Sequence, residues 1–495
     1  MTAAMRIATA AGDGIGPEIM AATLDIFRAA GVMQQVEFVP VEMGKAVFAQ
    51  GNTRGMTLEA IRTTEDCGIL FKGPMETPSG GGGKSINVTA RKLWSTFANL
   101  RHFTTLPGGE TVYSKAGIDV SFHVVRENVE DTYGGVENRV TSDVVMGRRI
   151  ASAPGADEVH RFAFQTARKH GIDHVHCIHK ANIMKMTDGL FLERFRAAAM
   201  DFPEIKASDV IVDALCMNLV MRPNIYQMIV LPNLQGDIVS DLAAGLVGGL
   251  GFAPSANIGK HMAIFEAVHG TAPDIAGQDK ANPTALLLSG LMLLRHIGLG
   301  HEAAVIENAL LSALESGVRT GDFGDVSTAP VGTRAFAQAV IERLGARPSR
   351  TSPRIAPEKA PARIDRLPKP THHEGIRTFE TVVALVAGCD VYLETRTPPV
   401  ELAEDLARLC EDSPLKLTMI SNRGTQVWPT GSVFTECVDY YRARFEIREG
   451  VALGTFGQGP CHSLLRRIAE RYLVASYELL RTFDGQRGYS LAQGQ

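Results

Sequence analysis

The chain has few cysteines for its length of 495 residues, and its seven cysteines are scattered without a C-x-x-C pair. Disulfide-rich secreted domains carry an even set of regularly spaced cysteines, so this odd set indicates reduced thiols in a cytosolic compartment. The N-terminal segment also lacks a basic stretch followed by a long apolar run, so no signal peptide is expected. From these absences we expect a cytoplasmic protein.

Long apolar segments and a strong excess of one charge are missing as well. The most apolar stretch runs from Ala285 to Leu294 and stops at Arg295 and His296, so it is too short to cross a bilayer. The net charge of −4 gives no indication of binding to nucleic acid or to anionic membranes. With 45% apolar and 21% charged residues, the composition is that of a globular protein with room for about two or three domains.

A complete Walker A motif is absent from the one segment that resembles it. Four glycines, residues 80–83, precede Lys84 and Ser85, but Pro78 occupies the position where the motif requires its first glycine. A phosphoryl-transfer protein that uses this loop is therefore only an alternative interpretation. A predicted helix carrying Arg91 follows the loop, and cations next to such flexible backbone favour a small polyanion as the ligand.

Strands and helices alternate along most of the chain, which predicts an α/β fold with a largely parallel sheet. The predicted strands are Met5–Ala10, Val36–Val41, Cys67–Phe71, Ile118–Val125, His174–Lys180, Asp209–Ala214 and Gln227–Leu231. The predicted helices include Glu18–Ala30, Leu58–Arg62, Ile86–Phe97, Glu158–His170 and Ala285–Leu294. Residues 140–150 alternate toward β structure and are predicted to form an arm.

Three aspartates form a candidate site for a divalent cation. Asp213 lies near the end of a predicted strand, and Asp237 and Asp241 lie one turn apart at a predicted helix start. Carboxylate oxygens suit Mg²⁺ or Mn²⁺, although acids at a helix start can also be simple partners of the helix dipole. Lys180 ends another predicted strand, where an ammonium group can take part in proton transfer. An ordinary surface lysine is an equally good interpretation.

Two turn-rich segments are candidates for nucleotide binding. Residues 12–18 resemble a dinucleotide fingerprint, but Pro17 stands where the third glycine of G-x-G-x-x-G belongs, and a plain turn is equally consistent. Within residues 266–277, Asp274 can hold the two hydroxyls of an adenosine ribose and would repel a 2′-phosphate. Alternatively, Asp274 is only a turn former after Pro273.

The last part of the chain is predicted to be a separate unit. Residues 347–370 contain six prolines mixed with Arg, Lys and Ser, which predicts an extended linker over residues 346–370. Residues 371–495 then have the size of one domain. Its predicted helices are residues 379–387, 400–409 and 463–483, and its predicted strands are residues 391–394 and 415–420. No catalytic constellation is recognisable in this unit.

Six motifs occur in one order along residues 5–345: Gly12–Glu18, Ser85–Arg91, Arg126–Tyr133, Lys180–Asn182, Asn233–Asp241 and His269–Gly277. Each motif is weak alone, but together they are specific. By these motifs the chain resembles the decarboxylating β-hydroxyacid dehydrogenases, and among them the isocitrate dehydrogenases. The resemblance implies a two-domain α/β fold of the isocitrate/isopropylmalate dehydrogenase type, which is not a Rossmann fold. It also implies a small α+β C-terminal domain, similar to the extra domain of certain long-chain bacterial members.

The resemblance implies a division of the chain into domains. Residues 1–98 and 251–345 would form a large domain on the cofactor side, because the chain leaves the first domain and later returns to it. Residues 99–250 would form a small domain with the dimer contacts and the metal and catalytic residues. Residues 371–495 would serve subunit association, in a homodimer or higher assembly whose active site is shared between subunits.

The resemblance also implies roles for individual residues. The substrate-binding residues would be Thr77, Ser85, Asn87, Arg91, Arg101 and Arg126. Among them, the forked guanidinium groups would engage the carboxylates of isocitrate. The ligands of Mg²⁺ or Mn²⁺ would be Asp213, Asp237 and Asp241. Tyr133 and Lys180 would move protons, with Lys180 and Asp213 entering from the partner subunit.

The cofactor-binding residues implied by the resemblance would be Glu266, His269, Gly270, Thr271, Ala272, Asp274, Ile275 and Asn282. Members that use NADP have Lys-Tyr where Asp274 and Ile275 stand here, so the resemblance predicts NAD. The expected reaction is the oxidative decarboxylation of isocitrate to 2-oxoglutarate and CO₂ with NAD and Mg²⁺ or Mn²⁺. Homoisocitrate, isopropylmalate or tartrate are alternative substrates within the family. A non-catalytic scaffold dominated by residues 371–495 is an alternative outside it.

Overall fold

The computed structural model describes residues 4–76, 85–323, 329–355, 382–454 and 457–491. Thr77, the four glycines at residues 80–83 and most of the proline-rich segment lie outside these ranges. The chain forms two compact units. The first unit comprises Met1–Tyr133 and Ala151–Ile376, and the second comprises Gly134–Ile150 and Arg377–Gln495.

One large sheet organises the first unit. The strands up to residue 267 are β1 (Met5–Ala10), β2 (Val36–Pro40), β3 (Ile69–Lys72), β4 (Ala98–Thr104), β5 (Ser121–Glu127), β6 (Asp131–Arg139), β7 (Val145–Ile150), β8 (His174–His179), β9 (Lys206–Ile211), β10 (Met228–Leu231), β11 (Pro254–Ile258) and β12 (Ala263–Ala267). All of these except β6 and β7 belong to a ten-stranded sheet with the order β2-β1-β3-β12-β11-β4-β5-β10-β8-β9. In the part of the chain that is described, β6 and β7 pair with each other.

Most neighbouring strands of the sheet run parallel, as the sequence predicts, but the pairs at its centre are antiparallel. β2, β1, β3 and β12 run parallel at one end, and β5, β10, β8 and β9 run parallel at the other. Between them, β11 and β4 pair antiparallel with each neighbour. The central strands therefore bring residues far apart in sequence, such as Arg101 and Ser255, into direct register.

Helices cover the sheet. The helices of the first unit are α1 (Gly16–Ala29), α2 (Lys45–Ala49), α3 (Leu58–Cys67), α4 (Ile86–Leu93), α5 (Val112–Lys115), α6 (Ala153–His170), α7 (Thr187–Ala199), α8 (Val212–Met221), α9 (Asn233–Leu246), α10 (Thr284–His296), α11 (Gly300–Glu315) and α12 (Thr333–Ile341). Short 3₁₀ turns lie at Val32–Gln34, Pro223–Ile225, Leu250–Phe252 and Gly321–Phe323. One core joins α1, α10 and α11 to the β1 end of the sheet, and another joins α6 and α7 to β8 and β10. Among the described residues, no helix has the length and apolar character needed to span a bilayer.

Local sequence signals explain where helices begin and end. Pro17 and Glu18 occupy the first turn of α1, where the missing N–H of proline costs nothing and an acid suits the helix dipole. Thr57 accepts a hydrogen bond from the Ala60 N–H at 3.0 Å at the start of α3, and Gly68 ends the helix with a positive φ of 64°. This turn leads the chain directly into β3 beside β1.

The second unit is an antiparallel sheet with two helices. Its elements are β13 (Ala384–Glu394), α13 (Pro399–Leu409), β14 (Leu415–Asn422), β15 (Thr425–Trp428), β16 (Tyr440–Ile447), α14 (Gly459–Ala469), β17 (Leu473–Phe483) and β18 (Gln486–Arg487). The strand order is β15-β14-β16-β13-β17-β18. Without the short β15 and β18, this is the βαββαβ arrangement of ferredoxin-like domains. The fold thus agrees with the predicted small α+β domain.

The second unit corrects two predicted helices. Residues 384–394 form β13, so the described part of the helix predicted at residues 379–387 is mostly strand. The sequence predicts one helix over residues 463–483, but α14 ends at Ala469 and β17 begins at Leu473. β17 pairs along its length with β13, and this pairing outweighs the helical spacing of nearby apolar residues.

The arm formed by β6 and β7 belongs largely to the second unit. Thr141 Oγ1 donates to the Asp439 carboxylate at 2.8 Å, and the Arg148 guanidinium lies 3.3 Å from Glu478 Oε1. The sequence analysis assigns this arm to the small domain, whereas its contacts are with the C-terminal strands. The remaining predicted domain boundaries stay a prediction.

Candidate active site

Three largely buried arginines lie close together at the centre of the large sheet. Arg91 lies on α4, Arg101 on β4 and Arg126 on β5, and the sequence predicts all three as substrate ligands. The side chains of Arg101 and Arg126 are 3% and 1% exposed. Burial, together with the nearby charges of Arg126 and Arg91, lowers the pKa of Arg101 to about 9. Such a concentration of positive charge favours an anionic ligand.

Arg126 also joins the predicted proton donor and a predicted metal ligand. Its Nε and Nη2 donate to Asn233 Oδ1 at 3.0 and 2.7 Å, and its Nη1 donates to Asp237 Oδ1. Tyr133 Oη donates to the other carboxylate oxygen of Asp237 at 2.6 Å. The guanidinium carbon of Arg126 lies 4.9 Å from the centroid of the Tyr133 ring. The structure therefore brings Arg126, Tyr133 and Asp237 into one cluster.

The cluster shifts the protonation of its members in opposite directions. Burial would raise the pKa of Asp237, but Arg126 and the hydrogen bond from Tyr133 lower it below its ordinary value. Burial and donation to Asp237 raise the pKa of Tyr133. Burial also raises the pKa of Asp241, one turn further along α9. At neutral pH the tyrosine therefore keeps its proton, and Asp237 is ionised beside it.

The segment that carries Tyr133 is attached to the start of α9. Asp131 has a positive φ of 64°, and its carboxylate accepts the Leu234 N–H at 2.8 Å. Gly236 lies so close to Arg126 that a Cβ there would come within 2.6 Å of the arginine Cγ. The hydrogen bond from Leu234 to Asp131 and the absence of a side chain at Gly236 together allow α9 to approach β5 and β6 closely.

The other predicted proton carrier and metal ligand form a separate pair. Lys180 follows β8, its N–H donates to Asp188 Oδ2 at 2.6 Å, and its Nζ donates to Asp213 Oδ1 at 2.6 Å. The hydrogen bond from Lys180 lowers the pKa of Asp213. The sequence predicts a strand over Asp209–Ala214, but β9 ends at Ile211 and Asp213 lies in the first turn of α8.

The structure thus divides the three predicted metal ligands into two groups. Asp237 and Asp241 share α9, and Asp213 lies on α8, which forms as a helix because Leu215 and Leu219 are fully buried one turn apart. Within the described ranges of this single chain, no group of three His, Cys, Asp or Glu side chains is arranged to hold a metal ion. The carboxylate oxygens of α9 are the donor type that Mg²⁺ and Mn²⁺ prefer.

Two polar atoms near the start of α4 have unmet hydrogen-bonding capacity. Ser85 caps α4 by accepting the Val88 N–H at 3.5 Å. Asn87 Oδ1 and Arg91 Nε are buried and have no hydrogen-bond partner among the residues that the structure describes. Since buried polar atoms without partners are costly, these two atoms fit a ligand that supplies the missing groups. The predicted Thr77 lies outside the described residues.

Glu266, predicted to contact the cofactor, is held inside the protein. Its Oε2 lies 2.5 Å from Lys72 Nζ, and its Oε1 accepts from Arg91 and Asn257 at 2.8 Å each. Burial would raise the pKa of Glu266, but Lys72 and Arg91 lower it well below its usual range. Sequence reasoning missed Lys72. The available signal was a lysine directly after a buried apolar strand segment.

The predicted cofactor loop packs against the glycine-rich turn after β1. The Thr271 carbonyl accepts the Ile15 N–H at 2.9 Å, and a Cβ on Gly14 would lie 2.0 Å from the same oxygen. His269 Nδ1 lies 2.9 Å from the Gly270 carbonyl oxygen, and its buried Nε2 has no hydrogen-bond partner within the described part of the chain. A close-packed glycine turn beside an unpartnered buried nitrogen fits a bound nucleotide.

The remaining predicted cofactor residues continue this loop. Ala272 has a positive φ of 37°, Asp274 is exposed, and Ile275 is partly buried against the first core. Asn282 is buried, and its Nδ2 donates to Asp322 Oδ2 at 2.9 Å. The loop is therefore anchored by hydrogen bonds at Thr271 and Asn282, and its outer part around Asp274 is exposed.

Two protein families match this sequence. Residues 6–340 match the family described as isocitrate/isopropylmalate dehydrogenase, and residues 385–495 match the one described as bacterial isocitrate dehydrogenase, C-terminal domain. A Thermus thermophilus protein named isocitrate dehydrogenase [NADP] is 42% identical over 486 residues, which are 98% of this chain and 95% of that protein. A Rickettsia bellii protein of the same name is 37% identical over 497 residues, 99% of each. A crystal structure of a protein from Thermus thermophilus has a TM-score of 0.89 and 41% identity, covering 99% of this chain and 96% of that one.

These relatives contradict the predicted preference for NAD. Both curated relatives are named as NADP enzymes, and both match nearly the whole chain. The prediction compared Asp274 and Ile275 with the Lys-Tyr of NADP-using members, but the exposed Asp274 does not set the local charge alone. Lys280 Nζ donates to Gln278 Oε1 at 2.9 Å, Gln278 Nε2 donates to the Asp274 carbonyl at 2.7 Å, and Arg334 Nε lies 3.9 Å from Asp279 Oδ1. The names of these full-length relatives therefore overturn the NAD prediction, which left the nearby cations out of account.

Proposed function

We propose, from the premise that this chain belongs to the isocitrate/isopropylmalate dehydrogenase family, that it oxidises and decarboxylates isocitrate to 2-oxoglutarate and CO₂ with NADP as hydride acceptor. The observation that carries the proposal is the group of three largely buried arginines next to the Tyr133–Asp237 hydrogen bond. Three cations match a tricarboxylate, and a neighbouring acid and phenol match a substrate that must exchange protons.

The substrate-binding part of the proposal concerns the carboxylates of isocitrate. A guanidinium group can bind a carboxylate through two parallel hydrogen bonds, and Arg91 has a buried Nε available for this. Asn87 contributes a second unsatisfied buried atom on the same helix. Ser85 and Asn87 are polar, which favours the third carboxylate of isocitrate over the apolar side chain of isopropylmalate.

The metal-binding part assigns Asp237 and Asp241 to one side of a Mg²⁺ or Mn²⁺ site. The lowered pKa of Asp237 keeps this carboxylate ionised at neutral pH. Asp213 of the partner subunit is assigned as the third ligand. A cation bound there would act as a Lewis acid toward substrate oxygens. Removal of divalent cations with EDTA is therefore expected to abolish turnover.

The proton-transfer part assigns two groups. Tyr133 Oη holds a proton at neutral pH and donates it to the carbon skeleton after CO₂ has left. Lys180 Nζ, which is paired with Asp213 at 2.6 Å, exchanges a proton with the substrate hydroxyl.

The cofactor part rests on two observations. The full-length Thermus and Rickettsia relatives are named as NADP enzymes. The glycine turn at Gly14 and the unpartnered His269 Nε2 fit a nucleotide, and the cations Lys280 and Arg334 near the outer loop fit its 2′-phosphate.

We also propose a homodimer with shared active sites. Helices α8 and α9 expose the apolar side chains of Met217, Val220, Met221, Leu234 and Ile238. Exposed apolar groups on neighbouring helices are typical of a protein–protein interface. Asp213 lies on α8, so a second copy covering this surface would bring its own Lys180–Asp213 pair to the edge of the first copy's site.

Steady-state kinetics test the proposal. We expect reduction of NADP in the presence of isocitrate and Mn²⁺, with a higher kcat/KM for NADP than for NAD. If homoisocitrate, isopropylmalate or tartrate is turned over faster than isocitrate, that acid is the substrate and the assignment of isocitrate is wrong. ATP hydrolysis that survives the Asp237→Asn substitution would instead favour the phosphoryl-transfer alternative.

A further inference from the structure

Polar side chains cross the middle of the large sheet on one face. In the sheet register, Ser255 lies opposite both Glu266 and Arg101, and Asn257 lies opposite Asn99. Residues two apart on a strand share a face, so all five side chains point the same way. Asn99, Ser255 and Asn257 are 0% exposed. Fully buried amides in central strands require partners, and the structure provides them within this row.

Asn257 stands at the centre of the row. Its Nδ2 donates to Glu266 Oε1 at 2.8 Å, and its Oδ1 accepts from the Nδ2 atoms of Asn99 and Asn128 at 2.8 and 3.0 Å. Asn99 Oδ1 in turn accepts the Arg101 Nε–H at 2.7 Å. Since a carboxylate only accepts and a guanidinium only donates, both ends of this chain fix the orientation of the amides between them.

Arg101 of the proposed substrate site lies at one end of the row, and Arg91 of the same site contacts Glu266 at the other end. Arg91 Nη2 donates to the same Glu266 oxygen that Asn257 uses, at 2.8 Å. The path from Arg91 through Glu266, Asn257 and Asn99 to Arg101 consists of hydrogen bonds of 2.7 to 2.8 Å. It runs through strands β12, β11 and β4, which come from two distant parts of the sequence.

We propose that Asn257 and Asn99 are positioning residues, which form an amide relay that sets the spacing and orientation of Arg91 and Arg101 toward the substrate carboxylates. The inference rests on the proposed function and names two residues that set the kcat/KM for isocitrate without contacting the substrate. Arginine has a long flexible side chain, so ordering it before the substrate binds lowers the entropic cost of binding. Small displacements of such groups are expensive, because bidentate binding depends on geometry.

The alternative is that these amides only stabilise the sheet, and Asn308 provides the matched control. Asn308 is also buried in the first unit, on α11. Its Nδ2 donates to the Arg354 carbonyl at 2.9 Å, and its Oδ1 accepts the Arg354 N–H at 2.7 Å. An Asn308→Leu substitution therefore removes buried amide hydrogen bonds without touching the row.

The test compares Asn257→Leu, Asn99→Leu and Asn308→Leu in the full-length protein. Kinetics with isocitrate and NADP, calorimetric binding of isocitrate with Mn²⁺, and thermal unfolding are measured for each. The two relay variants are expected to lower kcat/KM for isocitrate by about 10- to 100-fold, mainly through KM, while KM for NADP changes by less than about 2-fold. Asn308→Leu is expected to lower Tm without this kinetic change. If a leucine variant does not fold, the smaller polar substitution Asn257→Ser is judged by the same kinetics.

The double variant gives a second readout. A single substitution already interrupts the hydrogen-bonded path between Arg91 and Arg101. The double variant Asn99→Leu with Asn257→Leu should therefore lose little more kcat/KM than either single variant. Relay variants with the kinetics of Asn308→Leu, or fully additive kinetic losses, would overturn the relay alone. A wild-type protein that neither binds nor turns over isocitrate would overturn the proposed function as well.

Discussion

At the residue scale, burial and the charged or hydrogen-bonding neighbours of each acid together decide which acids of the site region are charged. Glu127 is the last residue of β5, next to Arg126, and is 5% exposed. Burial raises its pKa to about 7, although its carboxylate accepts the N–H groups of Val129 and Glu130 at 2.7 and 3.0 Å. The deprotonated form is therefore disfavoured in the folded protein relative to the unfolded chain.

This shift predicts a stability that depends on pH. A carboxyl group whose pKa is raised on folding stabilises the folded protein fully at a pH below its unfolded pKa of about 4.5. This stabilisation is lost as the pH rises through its folded pKa of about 7. We expect Glu127→Gln, which is neutral at every pH, to raise the free energy of unfolding by about 1–3 kcal/mol at pH 8 and to change it little at pH 4. Urea unfolding at both pH values measures this, with the exposed Glu193→Gln as the control. An equal effect at both pH values would contradict a titrating Glu127.

Tyr133 allows a second prediction at this scale. Tyr133→Phe removes the hydrogen bond to Asp237 but retains the ring beside Arg126. Because the hydroxyl is assigned to proton transfer, kcat is expected to fall by about 10²- to 10⁴-fold, with a much smaller change in KM for isocitrate. Steady-state kinetics measure both. A rise in KM with unchanged kcat would assign the hydroxyl to binding instead.

Residues of the candidate site could be proposed from the sequence only where a motif surrounds them, and their roles stay predictions. Arg91, Arg126 and Asp237 were accessible to sequence reasoning because neighbouring residues form recognisable patterns. Lys72 and Asn257 were not, since a single polar residue in an apolar strand carries no sign of the partner it meets. Only the register of strands from distant segments brings those partners together.

At the element scale, strand pairing decides between helix and strand where the local pattern allows both. The strands β1, β2, β8 and β10 follow their predicted positions closely because each is a short segment with apolar residues next to a turn signal. The residues of β17 have apolar side chains at both helical and strand spacing, and pairing with β13 selects the strand. The first turn of α8, which contains Asp213, is a similar case. The short apolar segment before it predicts a strand that continues through Asp213, but the helix begins at Val212.

One strand pair carries a pH-dependent contact. His102 on β4 lies opposite His123 on β5, their ring centroids are 4.1 Å apart, and His170 lies 5.2 Å from His123. Burial lowers the pKa of His102 to about 4 and that of His123 to about 2, and the neighbouring imidazoles add to this. Glu307 opposes the shift of His102, whereas Arg354 and Arg295 reinforce it.

These two histidines predict acid sensitivity. Their folded-state pKa values lie below the unfolded value of about 6.5, so the unfolded chain takes up protons first and stability falls as the pH drops from about 6.5 toward 4. We expect the double variant His102→Gln and His123→Gln to lose less stability over this range than the wild type. Thermal unfolding between pH 7 and 4.5 measures the slope, with the exposed His301→Gln as the control. An unchanged slope would show that other groups cause the acid sensitivity.

At the scale of the whole molecule, the proposed dimer divides the catalytic groups between two chains. Tyr133, Asp237 and the arginines lie in one cluster, whereas Lys180 pairs with Asp213 in another. If the second cluster serves the partner's site, two lesions that lie in different clusters of the two chains of a mixed dimer fall in the same site and leave the other site intact. Two inactive variants should then complement each other.

Co-expression of Lys180→Met with Asp237→Asn tests this arrangement. Half of the dimers would be mixed, and each would contain one intact site, so about a quarter of the wild-type activity should return. Co-expression of Lys180→Met with Asp213→Asn is the matched control, because both lesions lie in the same cluster and every site stays damaged. Adding Met217→Asp and Met221→Asp to both chains should abolish the recovery by disrupting the apolar surface of α8. No recovery in the test pair would mean that each chain supplies its whole site, and recovery in the control pair would mean that Lys180 and Asp213 of one chain serve different sites.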